Sequence, residues 1–349
     1  RNDGREGAGL GIPMYGLKYS ARCATSVAAC RDASKWLVAT TALREENEVH
    51  IIEQEEEASD HISCKGVFSH RGEVWDIAAS PADEKLFFTV YLDGQSQEAA
   101  LWEAVDGKLE PKFSSKGKQK NVRKVVWSPD TASDLVALGS ADALKLWNLS
   151  RDGGAVSSAT GAGELENVGA VSWNHLNHNL LCVSCSDSLQ CLDLRSMSQT
   201  ITVEKAHEMG VRDVDFSKTN QNLLASAGDD CHMCVWDLRK AQSPVVKVSN
   251  HSHWVWQAKF NPYHEALVVT SSSDSLVQLW HLTEDEEEGR GNEIKSSAEL
   301  KPHTFEEHED SVYSVSWSTG DPWTFLSLSY DGRVMCNQVP SSVKYKILL

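Results

Sequence analysis

Histidine, serine or threonine, aspartate and tryptophan recur at one fixed spacing in the second half of the chain. The two sets are His207, Ser226, Asp230 and Trp236, then His251, Thr270, Asp274 and Trp280. A serine beside a histidine and an aspartate could act as a nucleophile activated by a general base. An enzyme needs one nucleophile, however, whereas this arrangement is repeated, and a buried aspartate needs hydrogen-bond partners. The repetition favours a structural network in which aspartate holds histidine and the hydroxyl joins histidine to the indole nitrogen.

Two Cys-x-x-Cys pairs have the spacing of zinc ligands, Cys182 with Cys185 and Cys231 with Cys234. Side chains three residues apart in a β-strand point to opposite faces of the sheet. Neither pair could bind one zinc ion without leaving its strand, so buried structural thiols are the favoured interpretation. The sequence also lacks a phosphate-binding glycine loop, a zinc-protease motif and a nucleophile elbow. We therefore predict no catalytic residue, no metal and no cofactor.

The elements that carry these residues repeat with a constant period. Trp102 to Trp147 is a step of 45 residues and Trp236 to Trp280 a step of 44, the length of a four-stranded WD40 blade. Each repeat contains a strand of the pattern Val-x-x-Val-x-aromatic, which is expected to be the innermost strand of its blade. Six such strands are Val74–Ala79, Val122–Trp127, Val168–Trp173, Val211–Phe216, Val255–Phe260 and Val312–Trp317.

A seventh blade is predicted near the start of the chain. Its inner strand is assigned to Met14–Tyr19, its second strand to Trp36–Thr40 and its third to Glu48–Ile52. The predicted fold is an all-β, seven-bladed WD40 β-propeller that forms a single domain from residue 14 to residue 349. Residues 1–13 are expected to be a flexible N-terminal segment.

Two stretches of the sequence interrupt the repeat. The acidic segment at about 283–302 has the composition of a disordered insertion, and Ser150–Gly163 that of a mobile connection between blades three and four. Val343–Leu349 is predicted to be the outer strand of blade seven. Leu192 and Asn337 replace the repeated tryptophan, so their blades should be less tightly specified.

The second residue of each inner strand is expected near the narrow mouth of the central channel. Around the ring these residues are Tyr15, Trp75, Arg123, Gly169, Arg212, Trp256 and Tyr313, with Trp254 beside them. Aromatic residues and arginine are the types enriched in protein-binding hot spots. We therefore predict a protein-binding site at the channel mouth. The alternative is that large side chains only plug the channel, although a plug would not need arginine.

Composition restricts the classes of partner. The 349 residues include 33 lysines and arginines against 50 aspartates and glutamates, a net charge of −17, which argues against nucleic acid. No apolar run reaches the ~18 residues of a membrane span, and the start lacks a hydrophobic signal core. Nine cysteines at scattered positions favour free thiols in a reducing compartment. These features predict a cytoplasmic protein with protein partners.

Several motifs are more specific than a general WD repeat. They are Tyr15–Tyr19, Ser80–Asp83, Arg195–Gln199, His251–Trp256, Ser271–Ser275, Glu307–Tyr313, Asp321–Trp323, Ser329–Arg333 and Lys344–Leu349. In these the chain resembles, nearly end to end, the EARP- and GARP-interacting WD-repeat proteins, also called the tumour-suppressing subtransferable candidate family. The resemblance is weakest in blades three and four.

The resemblance implies a non-enzymatic scaffold that binds the EARP and GARP vesicle-tethering complexes. Such a protein would support endosomal recycling, retrograde transport to the trans-Golgi network and dense-core vesicle sorting. It would be a monomer within a larger complex, peripheral at endosomes and the trans-Golgi network, with only indirect membrane association.

A second interpretation comes from a different class of protein. Trp236-Asp237-Leu238-Arg239 fits the Trp-Asp-x-Arg box of substrate receptors of cullin-RING ubiquitin ligases, in which the arginine contacts the adaptor. The box is common in WD repeats because the Trp-Asp pair is already present. Affinity purification would distinguish the two interpretations, since one expects tether subunits and the other a cullin adaptor.

Overall fold

The structure is a computed structural model. It describes residues 12–54, 61–116, 119, 121–141, 143–149, 154–158, 165, 167–282 and 300–349. Seven antiparallel sheets of four strands each form the blades of a β-propeller, which confirms the predicted fold class. Most of the predicted flexible segment and nearly all of the predicted acidic insertion lie outside the described residues.

The first three blades are contiguous in the chain. Blade one contains β2 (Ala21–Ser26), β3 (Ser34–Thr40), β4 (Asn47–Gln54) and β5 (Ile62–His70). Blade two contains β6 (Val74–Ala79), β7 (Leu86–Asp93), β8 (Ser96–Val105) and β9 (Lys108–Ser114). Blade three contains β10 (Val122–Trp127), β11 (Leu135–Ser140), β12 (Ala143–Asn148) and β13 (Gly154–Ser158).

The next three blades follow the same order. Blade four contains β14 (Val168–Trp173), β15 (Leu180–Cys185), β16 (Ser188–Asp193) and β17 (Ser198–Val203). Blade five contains β18 (Val211–Phe216), β19 (Leu223–Gly228), β20 (Met233–Asp237) and β21 (Val246–Val248), with a 3-10 turn at Leu238–Lys240. Blade six contains β22 (Val255–Phe260), β23 (Leu267–Ser272), β24 (Val277–His281) and β25 (His303–Phe305).

Blade seven combines the two ends of the described chain. Its strands are β26 (Val312–Trp317), β27 (Thr324–Ser329), β28 (Arg333–Gln338) and, outermost, β1 (Met14–Gly16). β1 pairs antiparallel with β28, with Met14 opposite Met335 and Gly16 opposite Arg333. The assignment of Met14–Tyr19 to the inner strand of blade one was therefore wrong. That inner strand is β2, and β1 closes the ring.

The predicted outer strand at Val343–Leu349 was also wrong. Ser341–Leu348 is a helix, α1, that begins after Pro340. The outer edge of β28 is already paired with β1, so the end of the chain has no free strand edge to join. Instead, Val343 and Ile347 of α1 pack on the apolar cluster between blades six and seven.

The stretch Ser150–Gly163 is not wholly a connection, because Gly154–Ser158 within it pairs with β12 as the fourth strand of blade three. Residues 150–153 and 159–164 lie outside the described residues. The strand was missed because Gly-Ala-Val-Ser-Ser contains only one residue of strong β propensity. The segment forms a strand because it pairs with the otherwise free edge of β12, and not because of its own β propensity.

The core lies between blades and not within them. Every residue of β19, β23 and β27 is buried, as expected for strands covered on both faces. Each apolar cluster combines neighbouring blades; for example, Ala137 and Leu144 of blade three pack with Leu181 and Val183 of blade four. No blade buries its faces alone, so the ring behaves as one unit. None of the helices described in the structure is long and apolar enough to cross a bilayer.

Candidate protein-binding site at the channel mouth

A β-bulge near the start of every inner strand positions the candidate site. The register with the second strand shifts between Val74 and Asp76 in blade two and between Val211 and Asp213 in blade five, and equivalent shifts occur in the other five blades. A bulged residue leaves the ladder and its side chain is re-aimed. The second residue of each inner strand, which we expect at the channel mouth, therefore lies at a break in the ladder.

The structure corrects one member of the predicted ring. Tyr15 lies in β1, the outermost strand of blade seven, and its hydroxyl is 3.0 Å from Nδ1 of His50 in blade one. It is far from the innermost strands and does not belong to the mouth. The residue that occupies the second position of blade one is Arg22. The mouth residues by blade are Arg22, Trp75, Arg123, Gly169, Arg212, Trp256 and Tyr313.

Aromatic rings form a continuous surface on blades five to seven. The ring centroids of Trp256 and Tyr313 lie 4.5 Å apart, and Trp254 meets Trp256 edge-on at 6.0 Å. Trp256 is held in place because its indole nitrogen donates to Oγ of Ser273 at 2.6 Å. Trp254 remains 39% exposed. This surface is apolar, fixed in position and open to solvent, which are properties of an interface core.

Arg212 belongs to this surface as a neutralised group. Its Nε and Nη2 donate to the two carboxylate oxygens of Asp229 at 2.6 and 2.8 Å. The guanidinium also lies 4.9 Å from the Trp256 ring and 5.5 Å from the Trp254 ring. A bidentate ion pair fixes the plane of the guanidinium. Arg212 therefore extends the flat aromatic surface rather than adding net charge to it.

Arg22 has a different environment on the other side of the mouth. Its guanidinium lies 4.7 Å from the ring of Trp75 in blade two and 4.6 Å from that of Tyr313 in blade seven. The Tyr330 ring is 5.3 Å away, and Nη2 approaches the Tyr313 hydroxyl at 3.4 Å. Cation–π contacts of this kind stabilise the charge without neutralising it.

Sequence reasoning missed Arg22 because β2 reads Ala-Arg-Cys-Ala-Thr-Ser and has no valine. A positional signal was present nonetheless. In blades five and six the second strand starts 12 residues after the inner strand, at Leu223 after Val211 and at Leu267 after Val255. Counting back from Ser34, the start of β3, places the inner strand close to Ala21 and not at Met14.

Arg123 and Gly169 complete the ring. Nη1 of Arg123 donates to Oδ1 of Asn167 at 2.6 Å and to the carbonyl of Val168 at 3.4 Å, both in or beside blade four. Gly169 places no side chain at the mouth. Trp75, between Arg22 and Arg123, is 37% exposed. The mouth thus has an aromatic side with a paired arginine and a second side with two arginines bonded to neutral partners.

Ion pairs between blades lie in the channel below the mouth. Lys124 Nζ lies 2.6 Å from Asp76, and Lys259 Nζ lies 2.7 Å from Asp213. Burial lowers the pKa of Lys124, but the charges of Asp76 and Asp213 raise it more, so the net direction is upward and the lysine stays charged. The cavity here is about 190 Å³. Asp76, Lys124 and Lys259 line this cavity below the mouth residues.

The repeated polar residues form the expected kind of network inside blade five. Nδ1 of His207 lies 2.8 Å from Oδ1 of Asp230, and Nε2 lies 2.7 Å from Oγ of Ser226. The indole nitrogen of Trp236 donates to the same Oγ at 2.9 Å. Burial raises the pKa of Asp230, but the hydrogen bond and charge of His207 together with backbone donors lower it to about 2.

Blade six contains the same arrangement. Nδ1 of His251 lies 3.0 Å from Asp274, and Nε2 lies 2.8 Å from Oγ1 of Thr270. Trp280 donates to that Oγ1 at 3.1 Å. Ser226 and Thr270 are completely buried, and both hydroxyls are occupied by hydrogen bonds. A substrate could not reach either of them, and the arrangement supports structure rather than catalysis.

Other blades substitute members of this network. In blade three Gln119 stands where histidine is expected: Trp147 donates to its Oε1 at 3.2 Å, and its Nε2 donates to Oγ of Ser140 at 3.3 Å. In blade two His70 and Trp102 both bond to Oγ1 of Thr89, at 2.9 and 2.8 Å. Burial lowers the pKa of His70 to about 4.

The remaining candidate motifs lie apart from the mouth. Cys182 and Cys185 are buried in β15, whereas Cys231 lies in a turn at φ 64° before buried Cys234. Within the described ranges, no group of three or more ligating side chains could hold a metal ion. In the Trp-Asp-x-Arg box, Arg239 is 67% exposed but pairs with Asp237 at 2.6 Å.

Comparison with known proteins adds the family. The model of the EIPR1 beta-propeller family matches residues 11–280, and a WD domain, G-beta repeat model matches residues 300–336. The chain is 38% identical to the rat protein named EARP and GARP complex-interacting protein 1, over 96% of this chain and 98% of the rat protein.

Similar relatives occur in other kingdoms and phyla. WD repeat-containing protein DWA2 of Arabidopsis thaliana is 35% identical, and EARP-interacting protein 1 of Caenorhabditis elegans is 28% identical. In each case the alignment covers 96% of this chain and 98% of the relative. The chain belongs to the EIPR1 β-propeller family.

Proposed function

We propose that this chain is a non-enzymatic WD40 scaffold that binds the EARP and GARP tethering complexes through its channel mouth. Through these complexes it would support endosomal recycling, retrograde transport to the trans-Golgi network and dense-core vesicle sorting. It acts as a monomer within the larger complex, in the cytoplasm, and reaches membranes only through the tethers. The names of its relatives support the partner.

The observation that carries the site is the fixed aromatic surface of Trp254, Trp256 and Tyr313 beside Arg212. Trp256, whose ring is held by its hydrogen bond to Ser273, loses little conformational entropy when a partner covers it. A paired arginine at their edge supplies the polar border that binding hot spots commonly contain. The hydroxyls that resembled nucleophiles are buried, which supports a binding role over a catalytic one.

The test is a double variant, Arg212→Ala with Trp256→Ala. We expect capture of EARP and GARP subunits from cell lysate to fall at least about tenfold, because each hot-spot side chain contributes ~2 kcal/mol when desolvated. Thermal unfolding should change by only a few degrees, since neither side chain belongs to the buried apolar clusters between blades. Capture and melting are measured on the same preparations.

A matched control is available on the opposite face. Arg195 forms the same kind of bidentate pair with Asp193, and Leu176 is exposed after the inner strand of blade four. The double variant Arg195→Ala with Leu176→Ala should capture both complexes normally. Normal capture by the mouth variant would refute docking there. Recovery of a cullin adaptor in place of tether subunits, lost on Arg239→Ala, would favour the ubiquitin-ligase interpretation.

A further inference from the structure

The two sides of the mouth differ in charge. On blades five to seven, Arg212 is neutralised by Asp229. On blades one to three, Arg22 and Arg123 flank the exposed Trp75. Among the residues that the structure describes, neither of these two arginines has a carboxylate within 4.0 Å. We call Arg22, Trp75 and Arg123 the basic arc.

The geometry of Arg22 leaves its donors available. Rings of Trp75, Tyr313 and Tyr330 approach its guanidinium at 4.6 to 5.3 Å. A cation–π contact uses the face of the guanidinium, whereas its five N–H groups lie in the plane and point to its edge. Within the part of the chain that the structure describes, the one polar contact of Arg22, to the Tyr313 hydroxyl at 3.4 Å, is long. An in-plane acceptor can therefore still reach the edge of Arg22.

The arc also carries unbalanced positive charge in a protein of net charge −17. Arg22 is half-buried between rings, so part of its hydration is lost before any partner binds. A partly desolvated cation gains more from an anionic partner than an exposed one does. Arg212 shows what such a partner looks like in this protein: a carboxylate held by two parallel hydrogen bonds beside an indole ring.

We propose that the basic arc receives an acidic segment of the protein partner, with carboxylates on Arg22 and Arg123 and an apolar side chain over Trp75. The inference rests on the proposed function, because it specifies the partner chemistry at the same mouth. The aromatic surface of blades five to seven would supply most of the contact area. The arc would supply orientation and salt-sensitive affinity.

The test is the double variant Arg22→Gln with Arg123→Gln, which removes both charges but keeps polar side chains. We expect tether capture to fall about tenfold, as for loss of charge-assisted hydrogen bonds. The salt dependence should also become shallower: wild-type capture weakens between about 50 and 300 mM KCl, and the variant changes less. Arg71→Gln with Arg333→Gln is the control, since those two arginines on the same face already have carboxylate partners.

A direct probe separates this inference from the proposed function. A labelled peptide of alternating glutamate and leucine should bind the wild type at least about fivefold more tightly than its glutamine counterpart, and Arg22→Gln with Arg123→Gln should abolish that preference. Single Arg123→Gln is included because Arg123 stacks on no described ring, so its loss should leave the fold intact. Equal binding of the two peptides would refute the acidic segment.

The loss of tether capture in each double variant shows which of the two proposals fails. If Arg212→Ala with Trp256→Ala loses tether capture while Arg22→Gln with Arg123→Gln keeps it at every salt concentration, the mouth binds the tether and the acidic segment is refuted. If both double variants capture normally, docking at the mouth is itself refuted. Loss in both, with the altered salt dependence confined to the arginine variant, supports both proposals.

Discussion

Blade five and blade seven are both four-stranded sheets, but they differ in the chain segments that form them and in their buried hydrogen-bond networks. Blade five is one continuous stretch of chain, and its network runs from Asp230 through His207 and Ser226 to Trp236. Blade seven takes its outermost strand from the other end of the chain and places Asn337 where tryptophan is expected.

One link is common to both blades. His207 bonds to Ser226 at 2.7 Å in blade five, and His308 bonds to Ser327 at 2.7 Å in blade seven. The residue beyond the hydroxyl differs: in blade seven Asn337 Nδ2 donates to Ser327 at 2.8 Å in place of an indole. In these two blades the buried histidine and hydroxyl are the same, whereas the side chain that donates to the hydroxyl differs in size and packing.

The largest loss of stability is expected from deleting β1, the strand that blade seven takes from the start of the chain. Deleting residues 1–16 removes β1, exposes the edge of β28 and takes away Tyr15, which packs against the cluster between blades seven and one. Lost hydrogen bonds and burial together predict destabilisation of about 5 kcal/mol or more. Deleting 341–349 removes α1, which has no fully buried residue, and should cost far less. Thermal unfolding of both truncations decides this; equal losses would contradict ring closure by β1.

The next largest effect is expected from removing the side chain that donates to the buried hydroxyl, Trp236 in blade five or Asn337 in blade seven. Trp236→Ala removes a buried indole from the interface of blades four and five and should destabilise the protein by ~3–5 kcal/mol. Asn337→Ala removes one buried hydrogen bond with less volume and should cost ~1–2 kcal/mol. Urea unfolding measures both. A larger loss for Asn337→Ala would show that blade seven depends on its amide as strongly as blade five depends on its indole.

The smallest effect is a change in pH dependence. Because the pKa of Asp230 is lowered to about 2 in the folded state from an ordinary 3.8, its ionised form stabilises the fold above pH 4. That stabilisation is lost as pH falls from about 4 to about 2. The Asp230→Asn variant should therefore be less stable than the wild type at pH 6. Its stability should also fall less steeply than that of the wild type below pH 4.

Blade seven provides the control for this measurement. Its aspartate, Asp331, contacts Ser329 at 2.5 Å instead of the histidine. Asp331→Asn should lower stability at pH 6 less than Asp230→Asn does, because it removes no contact with the histidine. Identical pH profiles for the two variants would mean that the histidine contact of Asp230 does not set its stability contribution.

The sequence predicted six inner strands correctly because valines mark them at a fixed period. It failed where the structure is set by pairing over long distance. β2 has small and polar residues, and β1 joins a strand that is more than 300 residues away in the chain. The valine pattern does not distinguish β1 from an inner strand, and the spacing to β3 that does so was not used, so Tyr15 was placed at the mouth and Arg22 was missed.

For six blades the sequence identified the second residue of the inner strand, but not the contacts that this residue makes. The second residue of the inner strand was correctly placed for six blades because the repeat has one register, and the bulge follows from that register. The contrast between Arg212 and Arg22 could not be predicted. It depends on Asp229 lying 2.6 Å from one arginine and on three rings surrounding the other, and both follow from contacts across loops and blades.

Ring closure by β1 also has a consequence during synthesis. Met14 leaves the ribosome long before Met335, its partner in the sheet. At ~5–20 residues per second, roughly 16–64 s pass between them. Throughout that interval blade one and its neighbours can form, but the ring stays open and strand edges remain unpaired. A nascent chain in this state is prone to edge-to-edge association, so the yield of folded protein should depend on chaperones that shield the open ring.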